Sequence, residues 1–228
     1  MSRFASALLA LVLVSANARG EGASRVIISV RDQKLMVVEN GLKLATYPVS
    51  TSKFGLGDAW GRMTTPLGFL QVVQKIGDHA PVGAVFHNRR FTGEIIRPNA
   101  PGRDPVITRI MWLRGLEASN AHAFSRCIYI HGTPEEKFIG RPASYGCIRM
   151  KSSDVAALYN QVPLGAVVQI VSDKLPKVPK APPGTIFMSE PAKAEAAPVN
   201  DLKADEKPPE VTAPKSSSEE EPHFGRAA

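Results

Sequence analysis

The sequence predicts a mainly β protein, folded as a β-sandwich or curled sheets with one or two short helices. Two observations carry this. Apolar residues recur in short runs separated by polar and Gly-containing turns, and a single segment carries a helical period. Neither end of the 228-residue chain has the composition of that core, so the folded part is expected to be shorter than the whole. With 43% apolar residues overall, the middle has enough material to bury a core.

Residues 1–18 read as a secretory signal. Arg3 gives the positive start, Phe4 to Val14 the apolar run, and Ala16-Asn17-Ala18 a small-residue cleavage site. The run is about half of the ~20 residues needed to span a bilayer, so no stable membrane insertion is expected after cleavage. The mature protein is expected outside the cytoplasm.

From Arg25 the pattern is β. Val26-Ile27-Ile28-Ser29-Val30 and Lys34-Leu35-Met36-Val37-Val38 flank the polar Arg31-Asp32-Gln33 and predict a hairpin. Asn40-Gly41 is a strong turn dipeptide and leads into a third run, Leu42 to Val49. Ser50 to Thr65 is polar and Gly-rich, and Pro66-Leu67-Gly68 introduces a strand over Phe69 to Val73. Residues 76–105 read as a long loop with one short hairpin, and loops of that length usually serve a function. Ile107 to Leu113 is a further strand.

Arg126 to His131 predicts a strand with Ile128 and Ile130 on one face and Cys127, Tyr129 and His131 on the other. Ser153 is placed to cap a helix carrying Val155, Leu158, Tyr159 and Val162 at i, i+3, i+4, i+7. Pro163-Leu164-Gly165 stops it, and Ala166 to Val171 is the last strand. The folded domain is therefore expected over residues 25–173. From 174 to 228 the chain is rich in Pro, Ala, Lys and Glu and reads as a disordered tail.

Charge divides between these parts. Residues 19–173 hold 19 Lys plus Arg against 12 Asp plus Glu, whereas the tail holds 8 against 9. The basic excess sits on the folded part and suits an anionic partner. Export makes a wall polymer the better candidate than nucleic acid.

Chemistry concentrates in Ile130-His131-Gly132-Thr133 and in Pro142-Ala143-Ser144-Tyr145-Gly146-Cys147-Ile148-Arg149-Met150. A His ending a strand and a Cys in a Gly-containing turn can meet across neighbouring strands. An imidazole beside a thiol can take its proton and return it to a leaving amine. Backbone N–H groups at Gly146 and Cys147 could hold the oxyanion, and Gly132 lets the chain pass close beside the base. On the residues alone a blander assignment stays open: His131 as a hydrogen-bonded strand end and Cys147 as a small buried hydrophobe. Asp78-His79, His87 and His122 share no spacing with Cys or carboxylates, so neither metal nor cofactor is expected.

These two segments resemble the signature of the L,D-transpeptidase catalytic domain family (YkuD-type). Tyr47-Pro48-Val49-Ser50-Thr51-Ser52-Lys53, Thr65-Pro66-Leu67-Gly68-Phe69, Asp154-Val155 and Gly165-Ala166-Val167-Val168-Gln169-Ile170 extend the resemblance to roughly residues 25–171. It implies a mostly β fold and a cysteine acyl-enzyme. Cys147 would attack the bond between the third residue of a peptidoglycan tetrapeptide stem, a diamino acid, and its terminal D-Ala. The acyl group would then pass to an amine on a second stem or on an envelope protein, or to water. By the same resemblance His131 is the acid/base, the Gly132 carbonyl orients it, and Gly146 helps form the oxyanion hole. Ser144, Tyr145 and Arg149 are candidates for substrate contact, Arg149 equally for a structural ion pair. Tyr145 stands where the family usually has a second His. A phenol keeps a hydrogen-bond donor but cannot supply an imidazolium.

Two alternatives remain at this level. One is an L,D-carboxypeptidase or endopeptidase using the same acyl-enzyme with water. The other is a catalytically weak wall-binding protein. Cys127, four residues before His131 on the expected strand, would lie about 13 Å from it at ~3.3 Å per residue. It is expected to be neither the nucleophile nor a disulfide partner of Cys147.

Overall fold

The computed structural model describes residues 24–182. Ten strands form one mixed sheet, accompanied among the described residues by one α-helix. β1 (Arg25–Ser29), β2 (Lys34–Glu39) and β3 (Leu42–Pro48) make the opening meander, antiparallel throughout. Asn40 and Gly41 turn it with φ of 51° and 73°, the paired positive values that a two-residue hairpin turn of this twist demands. β4 (Gly68–Ile76) pairs with β7 (Val106–Gly115), and β5 (Ala84–His87) with β6 (Arg90–Ile95) forms the hairpin expected inside residues 76–105. β8 (Tyr129–Gly132) and β9 (Ile148–Met150) run parallel, and β10 (Val167–Val171) lies parallel to β1 and antiparallel to β4.

The strand order β3-β2-β1-β10-β4-β7 continues through β8 to β9. The chain leaving β3 then reaches β9: Ser50 and Arg149 exchange both backbone hydrogen bonds at 2.9 Å. The sheet therefore curls until its two ends meet. Inside the curl lie Val26, Ile28, Leu35, Val37, Leu70, Met111, Leu113, Ile130, Ile148 and Met150. The helix α1 (Ser152–Gln161) plugs this core with Val155, Leu158 and Tyr159, and Val162 follows from just beyond its end. These are the four positions of the helical period.

Three local expectations need correction. Ser153 does not cap α1. The cap position is Lys151, and the Ser152 N–H receives its acceptor from Glu136 Oε1 at 2.8 Å, a partner 16 residues away. The strand expected from Arg126 begins only at Tyr129, because Cys127 adopts φ 58° and ends a turn there. The expected boundary at 174 also falls inside the described structure. Leu175 and Val178 cover Ile27, Met36 and Val38 on the outer face of the first hairpin. Residues 179–181 then bond along Lys43: Lys43 N–H donates to Pro179 O at 2.7 Å and Ala181 N–H to Lys43 O at 3.0 Å. The apolar residues of the hairpin's second face supply the reason, since an uncovered face would leave three large side chains in water. The signal segment and residues 183–228 lie outside the described residues. No helix among the described residues is long and apolar enough to cross a membrane.

Candidate active site

The β8–β9 pair builds the site. Ile130 and Ile148 stand side by side and face the core, as do Gly132 and Met150 in register. Alternation turns Tyr129 and His131 of β8 and Cys147 and Arg149 of the β9 segment to the opposite face. His131 is beside Arg149, and Cys147 precedes Arg149 by two residues, so Cys147 and His131 are diagonal neighbours on one face. On that face Cys147 packs in a second cluster with Trp112, Tyr129 and Cys127. Trp112 stacks on Phe124 with ring centroids 4.2 Å apart and donates its indole N–H to the Phe124 carbonyl at 3.0 Å.

The sulfur of Cys147 is gripped by backbone. It donates to the Cys127 carbonyl at 3.3 Å and accepts from the Tyr129 N–H at 3.4 Å. Burial pushes this thiol up to about 11, against the lowering effect of the Tyr129 amide. The buried His131 ring sits with Nδ1 2.8 Å from the Gly132 carbonyl, which requires the proton on Nδ1 and leaves the Nε2 lone pair free as a base. Burial lowers His131 to about 4, with the Gly132 bond opposing and the Arg149 charge adding to the fall. At neutral pH the resting pair is thus a neutral thiol and a neutral imidazole. Both cysteines are free.

A bulge fixes the far end of β8. β7 shifts register between Ile107 and Ile110, where Thr108 takes φ 71°, and Ile110 then pairs with His131. Bulges of this kind re-aim strands next to active sites. A Cβ on Gly132 would lie 2.7 Å from the Ile107 carbonyl, so the strand end cannot accept a side chain there.

The turn before Cys147 is zipped to residues 50–65. Ser144 N–H donates to Thr51 O at 3.0 Å, and Lys53 N–H donates to Ser144 O at 3.1 Å. Thr65 Oγ1 donates to the Gly146 carbonyl at 2.9 Å and itself accepts from Ser52 N–H at 3.0 Å. Gly146 has φ 124°, the left-handed side that favours glycine, and faces the Thr64 carbonyl. Ser144 is fully buried, and its hydroxyl accepts from the Gly146 N–H at 3.2 Å. In this geometry it shapes the turn. The Gly146 amide, expected as an oxyanion donor, is engaged by Ser144 in this resting geometry.

Arg149 is also engaged. Its buried guanidinium pairs with Asp104 and with Glu135 at 3.5 Å, tying β9 to the 97–105 loop. Of its two expected roles, the ion pair is the one formed. Tyr145 is the exposed member, 54% accessible, with its ring 5.6 Å from Phe54 and its hydroxyl accepting from Lys53 Nζ at 3.2 Å.

Arg126 was missed from sequence. Its buried guanidinium pairs with Asp58 at 2.7 Å and donates to the carbonyls of Gly57, Arg62 and Thr64 at 3.2, 2.7 and 2.7 Å. It pins the 57–64 loop, which lies against Gly146, and it directly precedes the carbonyl that holds the nucleophile. Only the pairing with Asp58, 68 residues away, marks it, and nothing in local spacing signals that.

With this geometry stands a match over residues 23–170 to the family model for the L,D-transpeptidase catalytic domain, YkuD. The chain belongs to that family. It is 28% identical over 152 residues to the Bacillus subtilis (strain 168) protein named "Putative L,D-transpeptidase YqjB", covering 67% of this chain and 73% of that one. Solved structures similar to it include an L,D-transpeptidase from Xylanimonas cellulosilytica (21% identity, TM-score 0.43, 67% of this chain). Another is an L,D-transpeptidase from Mycobacterium tuberculosis H37Rv (18% identity, TM-score 0.44, 66% of this chain). This chain spans 62% and 58% of their respective lengths.

Proposed function

We propose that this chain is an exported L,D-transpeptidase of the bacterial envelope, acting on peptidoglycan tetrapeptide stems through a Cys147 acyl-enzyme. The observation that carries the reading is the placing of Cys147 and His131 on one face of β8–β9, with the imidazole's Nδ1 held by the Gly132 carbonyl. In this mechanism the sulfur turns from the Cys127 carbonyl toward Nε2. Proton transfer to Nε2 accompanies attack on the carbonyl of the third stem residue, because neither group is charged beforehand. A tetrahedral oxyanion forms, with the Cys147 amide as a donor and the Gly146 amide joining it once it leaves the Ser144 hydroxyl. Collapse forms the thioester and breaks the amide, and the imidazolium returns its proton to the departing D-Ala amine. An acceptor amine then gives its proton to His131 as it attacks the thioester and frees the thiol. Tyr145 lines the donor side and takes no part in proton transfer, since a phenol is a poor base at neutral pH. The basic surface would favour the anionic wall.

Mass analysis of products from a purified disaccharide-tetrapeptide tests this. Cross-linked dimer is the expected product, and tripeptide would assign the alternative in which water is the acceptor. Cys147→Ala and His131→Ala should each remove nearly all turnover and nearly all acylation by a carbapenem. Acylation at the wild-type rate in either variant would sink the assignment.

A further inference from the structure

Four large apolar side chains stand in solvent on the loop between β3 and β4: Phe54, Leu56, Trp60 and Met63, from 41% to 62% exposed. Phe54, Leu56 and Met63 line one open hollow of about 450 Å³ together with Arg62, and Trp60 rises between Ala59 and Gly61 of the same lining. Tyr145 continues the patch, its ring 5.6 Å from that of Phe54. The loop is held in shape from within. Gly57 N–H donates to Thr65 O at 2.9 Å, Thr65 N–H to Gly55 O at 3.1 Å, and Thr64 Oγ1 to Gly57 O at 2.9 Å, while Arg126 holds it from below. A braced loop that turns its apolar side chains outward marks an interaction surface. Charge narrows the partner. Lys53 lies over the Phe54 ring at 5.2 Å, and Arg62 lines the hollow. Neither has a carboxylate partner among the described residues, whose ion pairs are made by Arg103, His122, Arg126 and Arg149. Asp58, the one acid of the lining, is buried and taken by Arg126 and His122. The hollow thus offers no free carboxylate or carboxamide to meet the hydroxyls of a sugar, and Leu56 and Met63 give it no flat face. Apolar side chains with unanswered cations fit an anionic lipid surface instead.

We propose that this loop docks the protein reversibly on an anionic lipid surface. Phe54, Leu56 and Met63 enter the boundary between headgroups and acyl chains, the Trp60 indole sits at headgroup level, and Lys53 and Arg62 meet the phosphates. The proposal rests on the reading above of an exported envelope enzyme, which faces such surfaces. Nothing spans the bilayer. A few side chains and two cations give weak attachment, and neither set suffices alone. Because the loop is braced beforehand, docking orders little of the chain. The loop ends against the turn before Cys147: the Thr64 carbonyl lies 3.3 Å from where a Cβ on Gly146 would stand. Docking therefore holds the thiol at the layer of wall nearest the lipid.

The test mixes the exported chain, residues 19–228, with vesicles of phosphatidylglycerol and phosphatidylcholine in equal parts. Binding is read by co-sedimentation and by indole fluorescence. The protein has two tryptophans, and Trp112 is 9% exposed, so a blue shift on binding reports Trp60. Wild type should bind with that shift, and should bind vesicles of phosphatidylcholine alone at least about ten-fold more weakly. Lys53→Gln with Arg62→Gln should weaken binding to the mixed vesicles by roughly ten- to thirty-fold. Trp60→Ser with Met63→Ser should weaken it about ten-fold or more, although every charge remains. An unchanged melting temperature confirms that each variant is folded. Wild type that stays unbound, or binds without a blue shift, would overturn the proposal. So would full binding by the Trp60→Ser, Met63→Ser protein, which would reduce the attraction to overall charge. A blue shift produced by stem-free glycan strands and not by vesicles would give the patch to the wall polymer and overturn it as well. No stem enters these measurements, so their failure leaves the transpeptidase reading standing.

Discussion

The resting state of the nucleophile can be measured by alkylation. Burial raises Cys147 from the ordinary 9.0 to about 11, and its sulfur is satisfied by the Cys127 carbonyl and the Tyr129 amide. At pH 7.5 about 3% of an ordinary thiol is ionised but only ~0.03% of this one, a factor of about 100. The more basic thiolate regains part of this. With nucleophilicity rising by roughly 0.4–0.5 log unit per pKa unit, about an eight-fold gain returns, leaving at least a ten-fold deficit before shielding. Iodoacetamide should therefore label Cys147 ten-fold or more slower than a small free thiol, measured in a Cys127→Ser background. The rate should climb ten-fold per pH unit from pH 6 to 9.5 without levelling. Carbapenem acylation should stay flat over the same range, because His131 is already neutral and takes the proton during attack. A labelling plateau above pH 7 would show a thiolate–imidazolium pair at rest and refute the reasoning.

Cys127→Ser should keep carbapenem acylation within about two-fold, because position 127 meets the nucleophile through its carbonyl, which the substitution preserves; a dead but folded variant would assign the Cys127 thiol a role. Arg126→Met should leave the buried Asp58 carboxylate with His122 alone and free the 57–64 loop, lowering stability by about 3 kcal/mol in chemical denaturation, with Arg126→Lys recovering part of that loss. An Arg126→Met protein as stable as wild type would show that the ion pair holds nothing. The third concerns acid. His131 stays neutral when folded down to about 4, whereas in the unfolded chain it takes a proton near 6.5. The folded value is the lower one, so its contribution to stability is present above pH 6.5 and is lost as pH falls toward 4. Tm should drop over that window in wild type and drop less in His131→Asn; parallel curves would contradict it.

Much of the β framework was legible because its signals are local. Asn40-Gly41 dictates its own turn, and Val155, Leu158, Tyr159 and Val162 need only the helical period to share a face. Cys147 and His131 stood out as motifs, since His131-Gly132 and Gly146-Cys147 combine titratable groups with residues that permit close backbone approach, and the structure puts both on one face. What stayed hidden depends on distant partners. Alternation over residues 126–131 looks like a strand, yet nothing there reveals the positive φ at Cys127, which serves to aim a carbonyl at Cys147. The backbone bonds of Ser144 to Thr51 and Lys53 come from about ninety residues upstream, so local spacing does not show that its hydroxyl lies buried in the turn. A hollow lined by Lys53, Glu135 and Arg141 forms only when distant segments come together, so local spacing does not show it. The Pro-rich stretch after 174 looked unable to bury anything, and it binds because the hairpin brings an apolar face to it.

The way the sheet closes also governs when the enzyme can first exist during its own synthesis. β1 lies against β10 along five residue pairs from Arg25–Val167 to Ser29–Val171, and the chain after β3 meets β9 at Ser50–Arg149. Contacts that span so much of the chain fold slowly, since loop closure must precede the pairing that rewards it. A nascent chain that has emerged as far as Cys147 already holds thiol and imidazole, but it lacks β9, α1 and β10, the strand that β1 needs beside it. The β1–β3 meander waits with an open edge, and such edges favour association with other chains. The site thus assembles in one late step, after the last strand is made, so an incomplete chain carries Cys147 and His131 without the geometry that pairs them.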